Sequence, residues 1–599
     1  MNKSRIWQLS TYLSLASVSL LLACSQATRP ATPAAQNADW PSYGLNLQGQ
    51  RFSPLAQINQ QSIGQLTSAW TVDTGIKATF QATPIVVNGV MYVSLPFNHV
   101  LALDAATGKQ LWKYTHDRKA DWPMCCGPAN RGVAVSEGKV FIGTVDARLI
   151  ALDAASGKKL WDIDVAANQV NTEQQNTLNS SDPNKTRKVT GGTGVGIAMA
   201  PVVYKHKVII GITGVGYGLH IDNPTSDAPL GAVIGVTGRY GRPGFLAAFD
   251  VNDGRQVWQF DTIPAKAWEG NFTTRTADGS VFDRDVAAEK NAVKDYPDAA
   301  RFGGGSAWST PAIDTGTDTL YFGTGNPSPQ MNDVSRPGDN LYTVSLVALD
   351  TETGRYKWHY QQVPHDLWGY DLASPPVLFQ YQHQGKAIAA VGQASKTGWF
   401  YIHDRSNGQF LAKSDAFVPQ LNLFKKPGTE GTVIYPGILG GANWSPVSVD
   451  ERQHKIFVAA MHSPIKYTVH ETEAANGQKP MRYAASEPTE DARWGLLSAI
   501  DSQSGKIAWQ HKTEQPLVGG VLSTAGGLLF CGEGNGRLTA YASDTGKALW
   551  HYQSDYGVNA PPITYQIAGE QYIAVVSGGN SLFGFKQGDR ILTFKLAKK

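Results

Sequence analysis

ALDAATGKQLW, residues 102–112, is the stretch whose reading decides the fold. A strand ends at Asp104, a turn follows in which Gly108 takes a position needing positive φ, and a return strand carries Trp112. The order recurs as ALDAASGKKLW (151–161), AFDVNDGRQVW (248–258), ALDTETGRYKW (348–358) and AIDSQSGKIAW (499–509). Weaker copies are YIHDRSNGQFL (401–411) and AYASDTGKALW (540–550). One hairpin cannot bury its own tryptophan, but stacked neighbours can, which is why the pattern repeats. Between copies run alternating strands such as TPIVVNGVMYVSL (83–95) and GKVFIGTVDARLIALD (138–153). Each unit therefore holds about four strands, the blade of an all-β propeller. TSAWTVDTG (67–75) reads as one more tryptophan-bearing strand, from a blade closed by both chain ends. The polar stretches 166–196, 261–302 and 470–493 read as insertions. A multi-domain β protein is the rival reading.

Composition agrees. The chain has 599 residues, with 62 Gly and 16 Trp, suiting many tight turns and large aromatic anchors. Lys3 and Arg5 precede a mostly apolar run over 6–23 that ends in Leu21-Leu22-Ala23-Cys24. The run is too short and too cleanly bounded for a spanning helix and reads as a signal peptide. Its end resembles the lipobox of bacterial lipoproteins, in which Cys24 is lipidated; the alternative is ordinary cleavage near Ala35. Residues 24–38 read as a flexible tether and 39–599 as one propeller. Losing residues 1–23 lowers the net charge from +3 to +1, which gives no reason to expect nucleic acid. The expected location is the bacterial periplasm, with the chain tied to a membrane, the outer one, only by its lipid. Of the other cysteines, Cys531 sits alone in an apolar strand, and Cys125 and Cys126 are adjacent.

Several segments are more specific than the repeats: NLQGQRFSPLAQIN (46–59), MCCGPANRG (124–132), YFGTGNPSP (321–329), RPGDNLYTVSLVALD (336–350), HDLWGYD (365–371), GGANWSP (440–446) and GGVLSTAGGLLF (519–530). With the tryptophan-docked units they make the chain resemble the quinoprotein methanol and ethanol dehydrogenases, eight-bladed propellers built around pyrroloquinoline quinone (PQQ). The resemblance runs from Trp40 to Gly579. It implies a disulfide between Cys125 and Cys126, whose strained ring packs on one face of the quinone, and Trp308 on the other face. It makes Arg131 the partner of a cofactor carboxylate and places Lys396 near the reactive carbonyl. Gln81, Thr213, Gly214, Ser306 and Asn443 complete the cofactor set.

The same resemblance implies an ion beside the quinone, calcium or a lanthanide, acting as a Lewis acid and held by a Glu, an Asn and an Asp. Asn326 is present. The Glu is not: one alignment puts Gly216 there and another Arg239. The general base is the Asp after the Trp in relatives, and here that position is Gly369. Asp371 lies two residues on; in an extended segment it faces the same side as 369, while Asp366 faces away. Asp371 is therefore expected to serve both as base and, with Asn326, as metal ligand. Val518 stands where relatives carry an aromatic near the substrate.

Two functions follow. The first is a dehydrogenase: an alcohol, polyol or sugar gives a hydride to the quinone while a carboxylate takes the hydroxyl proton. No Cys-x-x-Cys-His occurs, so a separate cytochrome or membrane quinone must accept the electrons. The second is a non-catalytic propeller lipoprotein, a scaffold of the outer-membrane assembly type. The missing Glu and Asp favour the scaffold. Cys125-Cys126, Arg131, Trp308, Asn326 and GGANW favour the enzyme, because a scaffold has no use for them.

Overall fold

The computed structural model describes residues 37–118, 128–166, 189–192, 195–214, 219–221, 232–234, 241–330, 333–383, 385–472 and 481–598. The leader, Cys24, the adjacent cysteines Cys125 and Cys126, and positions 216 and 239 lie outside these residues.

The repeat closes as a hairpin and then does a second job. Asp104 Oδ1 accepts from the Thr107 amide at 2.9 Å and from its hydroxyl at 2.7 Å, and Gly108, at φ 75°, donates to the Asp104 carbonyl at 2.8 Å. Trp112 then leaves its own hairpin and lies on the turn of the next unit. Its Nε1 donates to the Ala154 carbonyl at 3.0 Å, and a Cβ added at Gly157 would come within 2.5 Å of its ring. The turn glycine is therefore needed twice, for its backbone angle and for the flat seat it leaves. Trp161 on Gly254, Trp258 on Gly354, Trp358 on Gly408 and Trp509 on Gly546 repeat the contact. So does Trp70 on Gly108, from the strand 67–75 singled out above. The weak copy at 401–411 has Leu411 where the tryptophan would stand, and its joint is built differently.

Among the described residues these joints link eight antiparallel sheets, seven of four strands and one extended to five. The first pairs Leu66–Ala78 near one chain end with Gly588–Leu596 near the other. The last, over 521–553, takes Phe52–Ser53 as an added parallel strand and touches the first through Trp550 and Phe594, 5.4 Å apart. In several sheets the inner strand is short, as in Ile85–Val87, Ala134–Ser136, Ala312–Asp314 and Ser448–Asp450.

The segment 40–53 threads past these inner strands in turn. Trp40 bridges Val86, and the carbonyls of Leu47, Gln48 and Gln50 accept from Ile313, Leu378 and Val449 at 2.7, 2.9 and 2.9 Å. Arg51, fully buried, donates to the carbonyls of Tyr43, Val521 and Pro562 and lies 5.1 Å from the Trp40 ring. A cavity of about 250 Å³ lies between this segment and the inner strands, walled by Tyr43, Val133, Pro201, Pro376 and Val447.

Two expected insertions are structured where they are described. The described ends of 470–493 fall in paired strands, Ile465–Thr472 pairing with Met481–Pro488 and with Thr432–Ile434. The stretch 261–302 carries a short helix, Val286–Ala292, and is pinned by Arg284, which meets Asp339 at 2.5 Å and Glu289 at 2.6 Å. Most of 166–196 lies outside the described residues. Cys531 is buried in the strand Leu528–Gly532 and is the free cysteine among the described residues.

Candidate functional site

Topology decides where chemistry gathers. In each sheet the inner strand runs away from one end of the molecule and the second strand returns to it. Segments before the first strand and loops after the second therefore share that end. Gln81, Arg131, Ser306, Trp308, Asp371 and Asn443 all lie just before an inner strand. Thr213, Asn326 and Lys396 follow the second strands Lys207–Gly211, Thr319–Gly323 and Lys386–Ala394. Residues scattered over more than three hundred positions are in this way placed on one end.

Arg131 is the meeting point. Its guanidinium lies 4.8 Å from the Trp308 ring and 5.4 Å from the Trp444 ring, three residues from three different sheets. It is buried, and Nη1 reaches the Ala198 carbonyl only at 3.4 Å. Burial lowers its pKa to about 10, opposed by the nearby Tyr43 and Asp371, so it stays a cation at neutral pH. Three buried polar atoms here have no hydrogen-bond partner among the described residues: Arg131 Nε, Asn443 Oδ1 and Trp444 Nε1. Such atoms are costly unless a ligand meets them. Asn443 Nδ2 is held by the Leu439 carbonyl at 2.9 Å, which leaves its oxygen free. Trp444 also touches Phe583 at 5.8 Å and shares an apolar cluster with Met461, Val518 and Phe585.

Beside this cluster stands an ion pair. Lys396 Nζ contacts Asp371 Oδ1, and the same ammonium donates to the Gly369 carbonyl at 3.0 Å. Both side chains are buried. Gly440 makes room for the lysine: a Cβ there would overlap Lys396 Cγ, and φ is 84°. Gly440 is thus explained by the lysine's stem, and Gly441 by the close approach of Gly398 and Val418.

The segment 365–371 is not extended, which corrects the alternation expected from sequence. Gly369 has φ 84°. Asp366 folds under the turn rather than facing away: its carboxylate accepts from the amides of Trp368, Gly369 and Tyr370 at 3.0–3.2 Å and from Asn326 Nδ2 at 2.8 Å. Burial raises its pKa, and those amides, Arg336 and Asn326 pull it down. Arg336, fully buried, ties the carbonyls of Pro329, Gln330 and Asp366 together. Asp371 reaches the site, but by a turn and not by strand periodicity.

The remaining expected residues hold quieter positions. Gln81 is buried. Thr213, half-buried, is fixed by main-chain bonds to Gly196, and Gly214 is buried with φ 87°. Ser306 is half-buried, and its carbonyl accepts from Gly325 at 2.7 Å. Asn326 donates to Asp366 and accepts from Gln330 Nε2 at 3.2 Å. Three contributors were not singled out from sequence: Trp444, Asp366 as a turn-holder, and Tyr43 beneath Arg131. Trp444 adjoins Asn443 in a quoted motif, the one signal that could have found it.

Comparison with known proteins agrees with this geometry. Residues 40–421 and 413–573 match the family described as PQQ glucose/ethanol/alcohol dehydrogenase, beta-propeller domain. The quinohemoprotein alcohol dehydrogenase of Comamonas testosteroni is 33% identical over 94% of this chain and 77% of its own. The quinoprotein alcohol dehydrogenase PedH of Pseudomonas putida is 32% identical over 93% and 91%. The crystal structure of the Comamonas testosteroni enzyme superposes with a TM-score of 0.74, covering 94% of this chain and 81% of that one. A europium-containing methanol dehydrogenase superposes at 0.73 with 25% identity, over 93% and 98%.

Proposed function

Because the chain belongs to the glucose/ethanol/alcohol dehydrogenase family of PQQ β-propellers, we propose that it binds PQQ between Trp308 and the Cys125-Cys126 ring and oxidises an alcohol, polyol or sugar. The eight sheets are then eight blades closed into one ring, a reading supported by the tryptophan joints and by Trp550 against Phe594.

The observation that carries the proposal is the set of orphaned polar atoms around two tryptophan rings. PQQ is a planar tricarboxylate, and the site offers the matching parts. The rings receive a flat group, Arg131 supplies a buried cation for a carboxylate, and Asn443 and Trp444 present an acceptor and a donor. PQQ held by Arg131, Asn443 and the tryptophan rings would supply a two-electron acceptor for the hydride that an alcohol carbon loses as it becomes a carbonyl. Asp371, buried beside Lys396, is the carboxylate placed to take the hydroxyl proton. Lys396 holds that carboxylate in place. Electrons leave to a separate cytochrome or membrane quinone. Lipidation at Cys24 and export to the periplasm complete the proposal.

Reconstituting the full chain with PQQ tests it. The expected result is saturable cofactor absorbance and reduction of an acceptor dye by at least one alcohol, polyol or sugar. Cofactor binding without turnover by any of them returns the chain to the scaffold reading.

A further inference from the structure

The residues expected to hold an ion beside the quinone do not fit one. Asn326 is committed at both ends of its amide, to Asp366 at 2.8 Å and from Gln330 at 3.2 Å. One of the two lone pairs of its oxygen is taken by the Gln330 N–H, which leaves a single position for an ion. Asp366 has both oxygens occupied by main-chain amides and Asn326. Asp371 faces an ammonium. Among the described residues no three His, Cys, Asp or Glu side chains come together in a metal-holding group. The missing glutamate reads as Gly216 or Arg239, neither of which brings a carboxylate. Calcium wants six to eight oxygen ligands, and its charge is normally met by several carboxylates. Among the described residues the carboxylate facing the site is Asp371, and its charge is already balanced by Lys396. Position 369 cannot supply a second: a Cβ there would come within 2.5 Å of Ile438 Cγ1 and 2.9 Å of Gln330 Nε2, at φ 84°.

We propose that the Lys396 ammonium, locked between Asp371 and the Gly369 carbonyl, is the resident positive charge of this site, so that the chain binds its quinone without a metal ion. An ammonium has three donors. The Gly369 carbonyl takes one and the ion pair with Asp371 can engage a second, which leaves at least one for a cofactor oxygen. The stem is fixed by Gly440, and its main-chain carbonyl accepts from Gly441 at 2.8 Å. The charge is therefore preorganised in a buried setting, where it acts strongly on a developing oxyanion. A divalent or trivalent ion placed on Asp371 would meet this ammonium as a like charge.

The inference rests on the quinone reading, and its test separates the two. The full chain is freed of metal with a chelator and titrated with PQQ by tryptophan fluorescence, in chelator, in calcium and in lanthanum. Metal content of the reconstituted protein is measured by elemental mass spectrometry. Expected are equal PQQ affinities in the three conditions and no stoichiometric metal. Lys396→Gln weakens PQQ by at least about tenfold in all three, the worth of a charged hydrogen bond. Lys396→Arg, which keeps the charge, recovers part of that and shows that the loss is not one of folding. PQQ binding that requires metal, one metal per chain after chelation, or full affinity in Lys396→Gln overturns the proposal while leaving the quinone reading intact. No PQQ binding in any condition overturns both.

Discussion

At Asp371 a carboxylate two residues from its expected place still reaches Lys396, because the chain turns at Gly369 instead of running straight. Two substitutions follow. Asp371→Asn keeps the shape but removes the base, so kcat falls at least about a hundredfold while PQQ still titrates to saturation. Unchanged kcat would remove Asp371 from the chemistry. Gly369→Asp restores the carboxylate that relatives carry, and sequence alone expects a faster enzyme. The structure reverses that expectation: the side chain meets Ile438 and Gln330 and forces an L residue to φ 84°. The variant is expected to lose about 1–3 kcal/mol of stability, seen as a lower thermal midpoint, with no gain in rate.

Between elements, the tryptophan of one hairpin and the glycine of the next form a single device. Trp112 is anchored by its Nε1 on Ala154 and by its ring on Gly157. Gly157→Ala puts a methyl group into that ring and strains a backbone at φ 71°. It should cost about 1–3 kcal/mol, whereas alanine at the exposed neighbour Lys158 costs little. Thermal midpoints of the two variants, compared with wild type, check the pairing. Leu411 shows that one joint does without the device.

Over the whole molecule, three buried histidines are expected to make the fold acid-sensitive. Burial holds His359, His365 and His403 down to about 4, against an ordinary 6.5. A depressed folded value means the unfolded chain takes the proton first. Stability is therefore full above pH 6.5 and drains as pH falls toward 4. Asp366 and Glu533, raised by burial, work the other way. His403 sits 4.4 Å from Tyr360 and 5.9 Å from Phe410, a setting that accepts a phenyl ring. His403→Phe should flatten the fall in unfolding midpoint between pH 6.5 and 4; an unchanged slope would assign the acid sensitivity elsewhere. At the same scale, Cys24→Ala should release the chain from membranes, and a wild type already soluble with an unmodified N-terminus would contradict the lipid anchor.

Local order was readable without coordinates because hairpin, turn glycine and tryptophan sit within eleven residues and repeat. Sequence by itself determined the all-β class, the unit and the strand that joins the two chain ends, since each rests on short-range pattern. Tertiary structure decided the rest. Arg131, Trp308 and Trp444 meet only because three distant sheets aim their inner strands from one end. Asp366 turns under its own loop because buried amides need an acceptor there, a demand that strand alternation does not contain. Lys396 takes Asp371 because Gly440, forty-four positions on, leaves space for its stem. Charge balance at the site is a sum over neighbours in space, and neighbours in space are what a linear sequence does not state.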